Sequence, residues 1–146
     1  MDASVATAES LTGGLVCSAL VAVPGASDVV RGGIIAYTAD AKIDLLGVPP
    51  DLISRYGTVD QRVAASMANA ARRRFGSTYG LATTGVAGPD SSEDKPVGTV
   101  HVAIAGPEGT NSCALWLTGD RDTIRNSTVD ELLSLFVDRV REESRS

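Results

Sequence analysis

The start of the fold is encoded by the stretch "ATAESLTGG", residues 6–14. The apolar run over residues 5–8 predicts a short buried strand, and the apolar spacing over residues 12–21 predicts a helix. The junction between the two elements holds three oxygen-bearing side chains, those of Glu9, Ser10 and Thr12. In open α/β sheets ligands bind outside the carboxyl ends of the strands. We therefore expect this junction at the edge of a ligand site.

Beyond this junction, strands and helices are predicted to alternate. Further strands are predicted over residues 31–38, 79–84, 97–105 and 112–118, and further helices over residues 39–46, 60–75 and 124–140. The short link "GPEG" makes the last two strands antiparallel. The pattern predicts a single domain over residues 1–146. Its expected fold is a three-layer α/β/α sandwich around a mixed, mainly parallel sheet of about five strands, with a C-terminal antiparallel hairpin.

Composition excludes several classes of function. The net charge of -5 argues against nucleic acid as a partner, because a polyanion needs a basic surface. No apolar run approaches the roughly 20 residues that span a bilayer, and no signal peptide is evident, so we expect a cytoplasmic protein without a membrane partner. The two cysteines, Cys17 and Cys113, and the single histidine, His101, fit no metal-site spacing. We expect neither a metal nor a cofactor, and we interpret His101 as structural.

Ser10 has two interpretations from the residues alone. A serine at a strand-to-helix junction could attack a carbonyl while nearby backbone amides hold the developing oxyanion. It could equally cap the helix, a common role for serine and for Thr12. The glycines of this stretch match no phosphate-binding fingerprint.

Two further stretches carry candidate chemistry. In "AYTADAK", residues 36–42, either Tyr37 or Lys42 could act as the base for a serine if its surroundings lower its pKa. In "TTGVAGPD", residues 83–90, Thr84 and Gly85 fall where a parallel strand should end, at the same edge as Ser10. The alternatives are a solvated surface lysine and an ordinary surface loop.

Six stretches in register make the sequence specific. They are "ATAESLTGG" (6–14), "PGAS" (24–27), "GGIIAYTADAKIDLLGV" (32–48), "TTGVAGP" (83–89), "KPVGTVHVAIAG" (95–106) and "GDRDTIR" (119–125). Together they resemble the CinA C-terminal domain family over nearly the whole chain. The resemblance implies hydrolysis of the carboxamide of nicotinamide mononucleotide to nicotinate mononucleotide and ammonia, without a metal.

The resemblance also implies roles for individual residues. Ser10 becomes the nucleophile or a water-orienting hydroxyl, and Tyr37 and Lys42 become the candidates for proton transfer. Thr84 is the fourth expected catalytic residue. The expected substrate-binding residues are Thr12, Gly13, Gly14, Ser27 and Gly85.

Three departures from the family pattern shape these expectations. Leu11 stands where the family usually has cysteine, which excludes a thiol mechanism at that position. Acidic residues follow "AGP" over residues 90–94, where they would repel a substrate phosphate if the loop closed over it. A helix that usually precedes the first strand has no counterpart in the sequence, so we expect a homodimer to cover the exposed sheet face. The competing function is a nucleotide-binding or regulatory module with weak or lost catalysis.

Overall fold

The computed structural model describes residues 2–146. The strands are β1 (Val5–Glu9), β2 (Val30–Ile35), β3 (Tyr79–Gly85), β4 (Thr99–Gly106) and β5 (Gly109–Trp116). The helices are α1 (Leu15–Val21), α2 (Ala39–Leu46), α3 (Pro50–Tyr56), α4 (Gln61–Phe75) and α5 (Arg121–Arg145), and one turn of 3-10 helix covers Ala26–Asp28.

The strands form one mixed sheet in the order β2-β1-β3-β4-β5. β1 is parallel to both β2 and β3, whereas β3–β4 and β4–β5 are antiparallel pairs. The predicted fold class and the C-terminal hairpin are therefore confirmed. Glu9 is in register with Ile35 of β2 and with Thr83 of β3. The residues that follow these three positions thus meet at one edge of the sheet.

The two faces of the sheet are packed differently. On one face α4 lies against small residues such as Ala6, Ala8 and Ala82. A Cβ on Gly80 would lie 2.1 Å from the Ala68 carbonyl oxygen, so the helix approaches the strand too closely for any side chain there. On the other face α1 and α5 bury larger apolar side chains, including Leu81. The small residues on the α4 face thus allow α4 to pack closely against the strands.

One helix was not predicted from the sequence, and two others begin at different residues from those predicted. α3 was not predicted: it is only seven residues long and none of them is buried, although Leu52 and Ile53 pack against the core. α1 begins at Leu15 rather than residue 12, since Gly13 and Gly14 have φ of 54° and 103°, outside the helical region. α5 begins earlier than predicted, at the residue after Asp120, whose side chain accepts from the Thr123 N–H at 2.8 Å. No helix within residues 2–146 combines the length and apolarity needed to cross a membrane.

Candidate active site

Ser10 and Lys42 form a buried pair at the carboxyl edge of the sheet. Ser10 directly follows β1, and Lys42 lies one turn into α2; they are 6% and 1% exposed. Lys42 Nζ donates to Ser10 Oγ at 2.9 Å. α2 starts where it does because the Thr38 side chain accepts from the Ala41 N–H at 3.1 Å. The helix start thereby aims the lysine back at the end of β1.

The other contacts of Lys42 are uncharged. Its Nζ also donates to the backbone oxygens of Ala36 at 3.0 Å and Tyr37 at 3.2 Å. Within residues 2–146 it forms no ion pair. Burial lowers the pKa of Lys42 from 10.5 to about 8, opposed in part by the charge of Glu93. A lysine with this pKa is neutral often enough near physiological pH to accept a proton.

Tyr37 reaches the pair through its backbone and not through its phenol. Its carbonyl oxygen accepts from Lys42 and, at 3.5 Å, from Ser10 Oγ. Its side chain is 57% exposed, and the phenol oxygen accepts from Arg121 at 2.9 Å. The structure brings Ser10 and both predicted proton-transfer residues together, but only the lysine side chain contacts the serine.

Arg121 is a site residue that the sequence-based prediction missed. It lies in the first turn of α5 and also donates to the Gly88 carbonyl at 2.5 Å. The signal was present in "GDRDTIR", where Asp120 is a typical N-cap and places the next residue at a helix start. That pattern predicts a helix start but does not predict that the start of α5 lies beside the cleft.

Ser10, with Lys42 behind it, lines a cleft of about 220 Å³. Its walls include Ser10, Tyr37, Thr58, Thr84, Gly85 and Arg121. The Thr84 hydroxyl, 1% exposed, donates to the Thr58 carbonyl at 2.8 Å. Gly85 is tightly packed, because a Cβ there would lie 2.7 Å from Val100 Cγ2. Two of the predicted residues on β3 therefore line the cleft together with Ser10.

Thr12, Gly13 and Gly14 are placed differently from the prediction. The Gly13 N–H donates to the Ser10 carbonyl at 3.0 Å, and the Gly14 N–H donates to Glu9 Oε1 at 3.1 Å. Thr12 is fully buried and donates to Glu9 Oε1 at 2.6 Å. None of the three lines the cleft. These groups form hydrogen bonds inside the β1–α1 junction, so the structure does not place the three residues in the cleft beside Ser10.

Ser27 is also apart from the cleft. It is exposed on the 3-10 turn and lines a separate surface groove with Cys17 and Arg31. The sequence placed it in the site because its motif belongs to the family pattern, which carries no information about distance. The structure does not bring it near Ser10.

The acidic loop is partly folded back onto the chain. Glu93 accepts from the Thr58 N–H at 3.0 Å, the Thr58 hydroxyl at 2.6 Å and the Val59 N–H at 3.1 Å. Burial acts to raise the pKa of the Glu93 carboxyl, but these hydrogen bonds and the charge of Lys95 outweigh it and hold the pKa below its ordinary value. Glu93 therefore supports one wall of the cleft, whereas Asp90 lines it.

His101, the chain's single histidine, lies between the buried residues Val100 and Val102 of β4. No group of three or more His, Cys, Asp or Glu side chains within residues 2–146 could hold a metal ion. His101 lies on β4, where its Nδ1 is buried without a hydrogen-bond partner among those residues. Burial lowers the pKa of its imidazole.

The chain is similar to proteins of one family. A family model described as the CinA C-terminal domain matches residues 1–140. A CinA-like protein from Frankia casuarinae is 52% identical over 92% of this chain and 31% of that protein. A CinA-like protein from Synechococcus sp. is 51% identical over 91% of this chain and 33% of that protein. The chain thus spans about a third of the length of these curated relatives.

Solved structures of the same family have a similar fold. The competence/damage inducible protein CihA from Agrobacterium tumefaciens has a TM-score of 0.89 and 38% identity, over 94% of this chain and 85% of that one. A competence-damaged protein (CinA) superfamily protein from Escherichia coli has a TM-score of 0.91 and 32% identity, over 93% of this chain and 80% of that one. On the matched family model, the close relatives and the shared fold, the chain belongs to the CinA C-terminal domain family.

Proposed function

We propose that this chain hydrolyses the carboxamide of nicotinamide mononucleotide, with Ser10 as nucleophile and Lys42 as its base. The observation that carries the proposal is the 2.9 Å contact between Lys42 Nζ and Ser10 Oγ. A serine hydroxyl is a weak nucleophile until an adjacent base removes its proton. The fold offers that base in a buried lysine whose pKa is lowered to about 8.

The three partners of Lys42 can be satisfied by an ammonium group, which donates to all three, and also by a neutral amine. An uncharged amine has two N–H groups and one lone pair. Its N–H groups can donate to the carbonyls of Ala36 and Tyr37, which leaves the lone pair directed at Ser10 Oγ. The same atom can then accept the serine proton without moving. Two carbonyl acceptors and one hydroxyl thus prepare the lysine for proton transfer.

The steps balance without a cofactor. Ser10 Oγ attacks the amide carbon while its proton passes to Lys42. The tetrahedral intermediate collapses, the C–N bond breaks, and Lys42 returns the proton to the leaving nitrogen, which departs as ammonia. Water then attacks the acyl-serine ester, again giving its proton to the lysine. The Ser10 oxygen leaves with that proton, and nicotinate mononucleotide is released.

The cleft also supplies features for the rest of the substrate. Arg121 brings a positive charge to the rim, which suits the substrate phosphate. The Thr84 hydroxyl proton is engaged by Thr58, so its oxygen is available to accept from the substrate amide N–H. Asp90 also lines the cleft and disfavours an anion beside it. We therefore expect the phosphate on the Arg121 side.

The test is ammonia release by the purified chain from nicotinamide mononucleotide and from free nicotinamide. Remote binding of the phosphoribosyl part orients the amide, so free nicotinamide should be a much poorer substrate. Ser10→Ala should lower turnover by roughly a hundredfold or more with the fold retained. Ser18→Ala, an exposed serine on α1, is the matched control and should keep wild-type turnover.

Two results would redirect the proposal. Ser10 does not cap α1, because its hydroxyl contacts Lys42 and the Tyr37 carbonyl. If these contacts are only structural, Ser10→Ala should reduce stability by about 1 kcal/mol and leave turnover intact. If nicotinamide mononucleotide raises the melting temperature but no ammonia forms, the chain acts as a binding module. The predicted homodimer is tested separately by light scattering.

A further inference from the structure

Glu9 is a buried carboxylate surrounded only by hydrogen-bond donors. It is 1% exposed and forms no ion pair within residues 2–146. Oε1 accepts from Thr12 Oγ1 at 2.6 Å, Gly14 N at 3.1 Å and Val16 N at 2.9 Å; Oε2 accepts from Cys17 N at 3.0 Å and Thr7 Oγ1 at 3.3 Å. The three N–H groups are those left unpaired at the start of α1. Helix capping accounts for these three bonds but not for the two threonines.

The carboxylate sets the direction of a chain of hydroxyl bonds. Because a carboxylate only accepts, the single hydroxyl proton of Thr12 is committed to Glu9. Thr12 Oγ1 lies 2.8 Å from Thr83 Oγ1, so Thr83 must donate in that contact. Thr83 Oγ1 can then only accept from its remaining neighbour, the Ser10 N–H, at 3.3 Å.

We propose that Glu9 is a positioning residue for Ser10, acting through this threonine relay of Thr12 and Thr83. The proposal rests on the proposed function, in which Ser10 is the nucleophile. The Ser10 N–H also donates to the Thr83 carbonyl at 3.1 Å, so both acceptors for this amide belong to one residue. The relay fixes the backbone of Ser10, and with it the direction of Oγ toward Lys42. Small losses of such alignment reduce turnover without weakening substrate binding.

The relay can be broken without disturbing the helix start. Thr83→Val removes the hydroxyl that joins Ser10 to Thr12 but keeps the side-chain shape and leaves Glu9 and its three amides in place. Glu9→Gln is less informative, since it alters the helix cap and the relay together. Thr7→Val is the matched control, because Thr7 is equally buried and contacts Glu9 but has no contact with Ser10. Thr83→Ser restores the hydroxyl and serves as the rescue variant.

Two readouts separate this proposal from the choice of substrate. The first is kcat and KM for ammonia release from nicotinamide mononucleotide. The second is the rate at which a fluorophosphonate labels Ser10, followed by intact mass. Thr83→Val should lower kcat and the labelling rate by roughly five- to tenfold with KM little changed, the effect of one lost hydrogen bond. Thr7→Val and Thr83→Ser should both stay close to wild type.

Each outcome decides the question. A wild type that labels at Ser10 without releasing ammonia, with Thr83→Val slower than Thr7→Val, would support the relay and overturn the proposed substrate. Equal rates for Thr83→Val and Thr7→Val in both readouts would overturn the relay while leaving the proposed function intact. A wild type that neither releases ammonia nor labels at Ser10 would overturn both.

Discussion

Glu9 and Lys42 are both 1% exposed, and the fold surrounds their charges in opposite ways. Five donors converge on the two Glu9 oxygens, three of them backbone N–H groups at the start of α1. Lys42 has two backbone carbonyls and one hydroxyl, and no opposing carboxylate in contact. The surroundings of Glu9 offer a carboxylate five donors, whereas the surroundings of Lys42 lower its pKa and favour the neutral amine.

This difference separates a structural carboxylate from a candidate base. Burying a charge is unfavourable unless hydrogen bonds and counter-charges compensate for the lost hydration. The helix start compensates for Glu9, so its charge can serve as a fixed acceptor. Lys42 contacts only neutral groups, and burial lowers its pKa to about 8 despite the opposing charge of Glu93. Perturbed ionisable groups of this kind cluster at functional sites.

The largest expected effect is on turnover when Lys42 is replaced. Lys42→Met should reduce ammonia release by roughly a thousandfold or more, because no other group contacts Ser10 Oγ as a base. Lys42→Arg should be equally inactive, since a guanidinium does not deprotonate at these pH values. Tyr37→Phe removes only the contact to Arg121 and should leave most of the turnover. Full loss in Tyr37→Phe with activity in Lys42→Met would reverse the assignment.

The next effect is on stability when Glu9 is replaced. Glu9→Gln should lower the free energy of unfolding by about 3 kcal/mol, because an amide nitrogen cannot accept and would face a buried N–H or hydroxyl donor. Urea unfolding measures the change. Glu131→Gln, on an exposed position of α5, is the control and should change stability by less than about 0.5 kcal/mol. Equal values for the two variants would remove the contrast between Glu9 and an ordinary surface carboxylate.

The pH dependence of turnover should follow Lys42. With a pKa of about 8, turnover should rise about tenfold between pH 7 and pH 9 as the neutral amine forms. Between about 8 and 10.5 the unfolded chain binds a proton at this lysine that the folded chain does not, so its contribution to stability rises with pH. Lys42→Met should lack that rise. A pH–rate profile flat across this window would argue against the lysine as base.

The smallest effect should come from Glu93. Its charge raises the pKa of Lys42, so Glu93→Gln should move the midpoint of the pH–rate profile slightly downward. The variant also weakens the acceptor for Thr58 and Val59, which should lower stability by about 1 kcal/mol. Asp94→Asn, on the same loop, is the control for the loss of a nearby negative charge. An upward shift of the midpoint in Glu93→Gln would contradict the structure.

Much of the site could be predicted because its residues follow local patterns. Ser10 and Thr84 end parallel strands, and such ends meet at one edge of a sheet whatever the details of packing. Lys42 lies a fixed number of residues after a strand and a capped helix start. Arg121 was missed because its contact with Tyr37 joins positions 84 residues apart. Thr12 lies outside the cleft because its hydroxyl is buried between Glu9 and Thr83, and the sequence does not distinguish such a hydroxyl from one that faces a ligand.

By itself the sequence determined the order of the strands and of the helices other than α3, the mixed sheet, and the placement of Ser10 and Thr84 at the ends of their strands. Apolar periodicity, capping residues and glycines affect the backbone over a few neighbouring residues, so a single sequence is enough to predict their effects. Only the tertiary structure decided that Lys42 and not the phenol of Tyr37 contacts Ser10, and that Glu9 faces five donors. Those outcomes depend on side-chain direction and on desolvation by distant elements. Both the side-chain direction and the desolvation are fixed only when the helices pack on the two faces of the sheet.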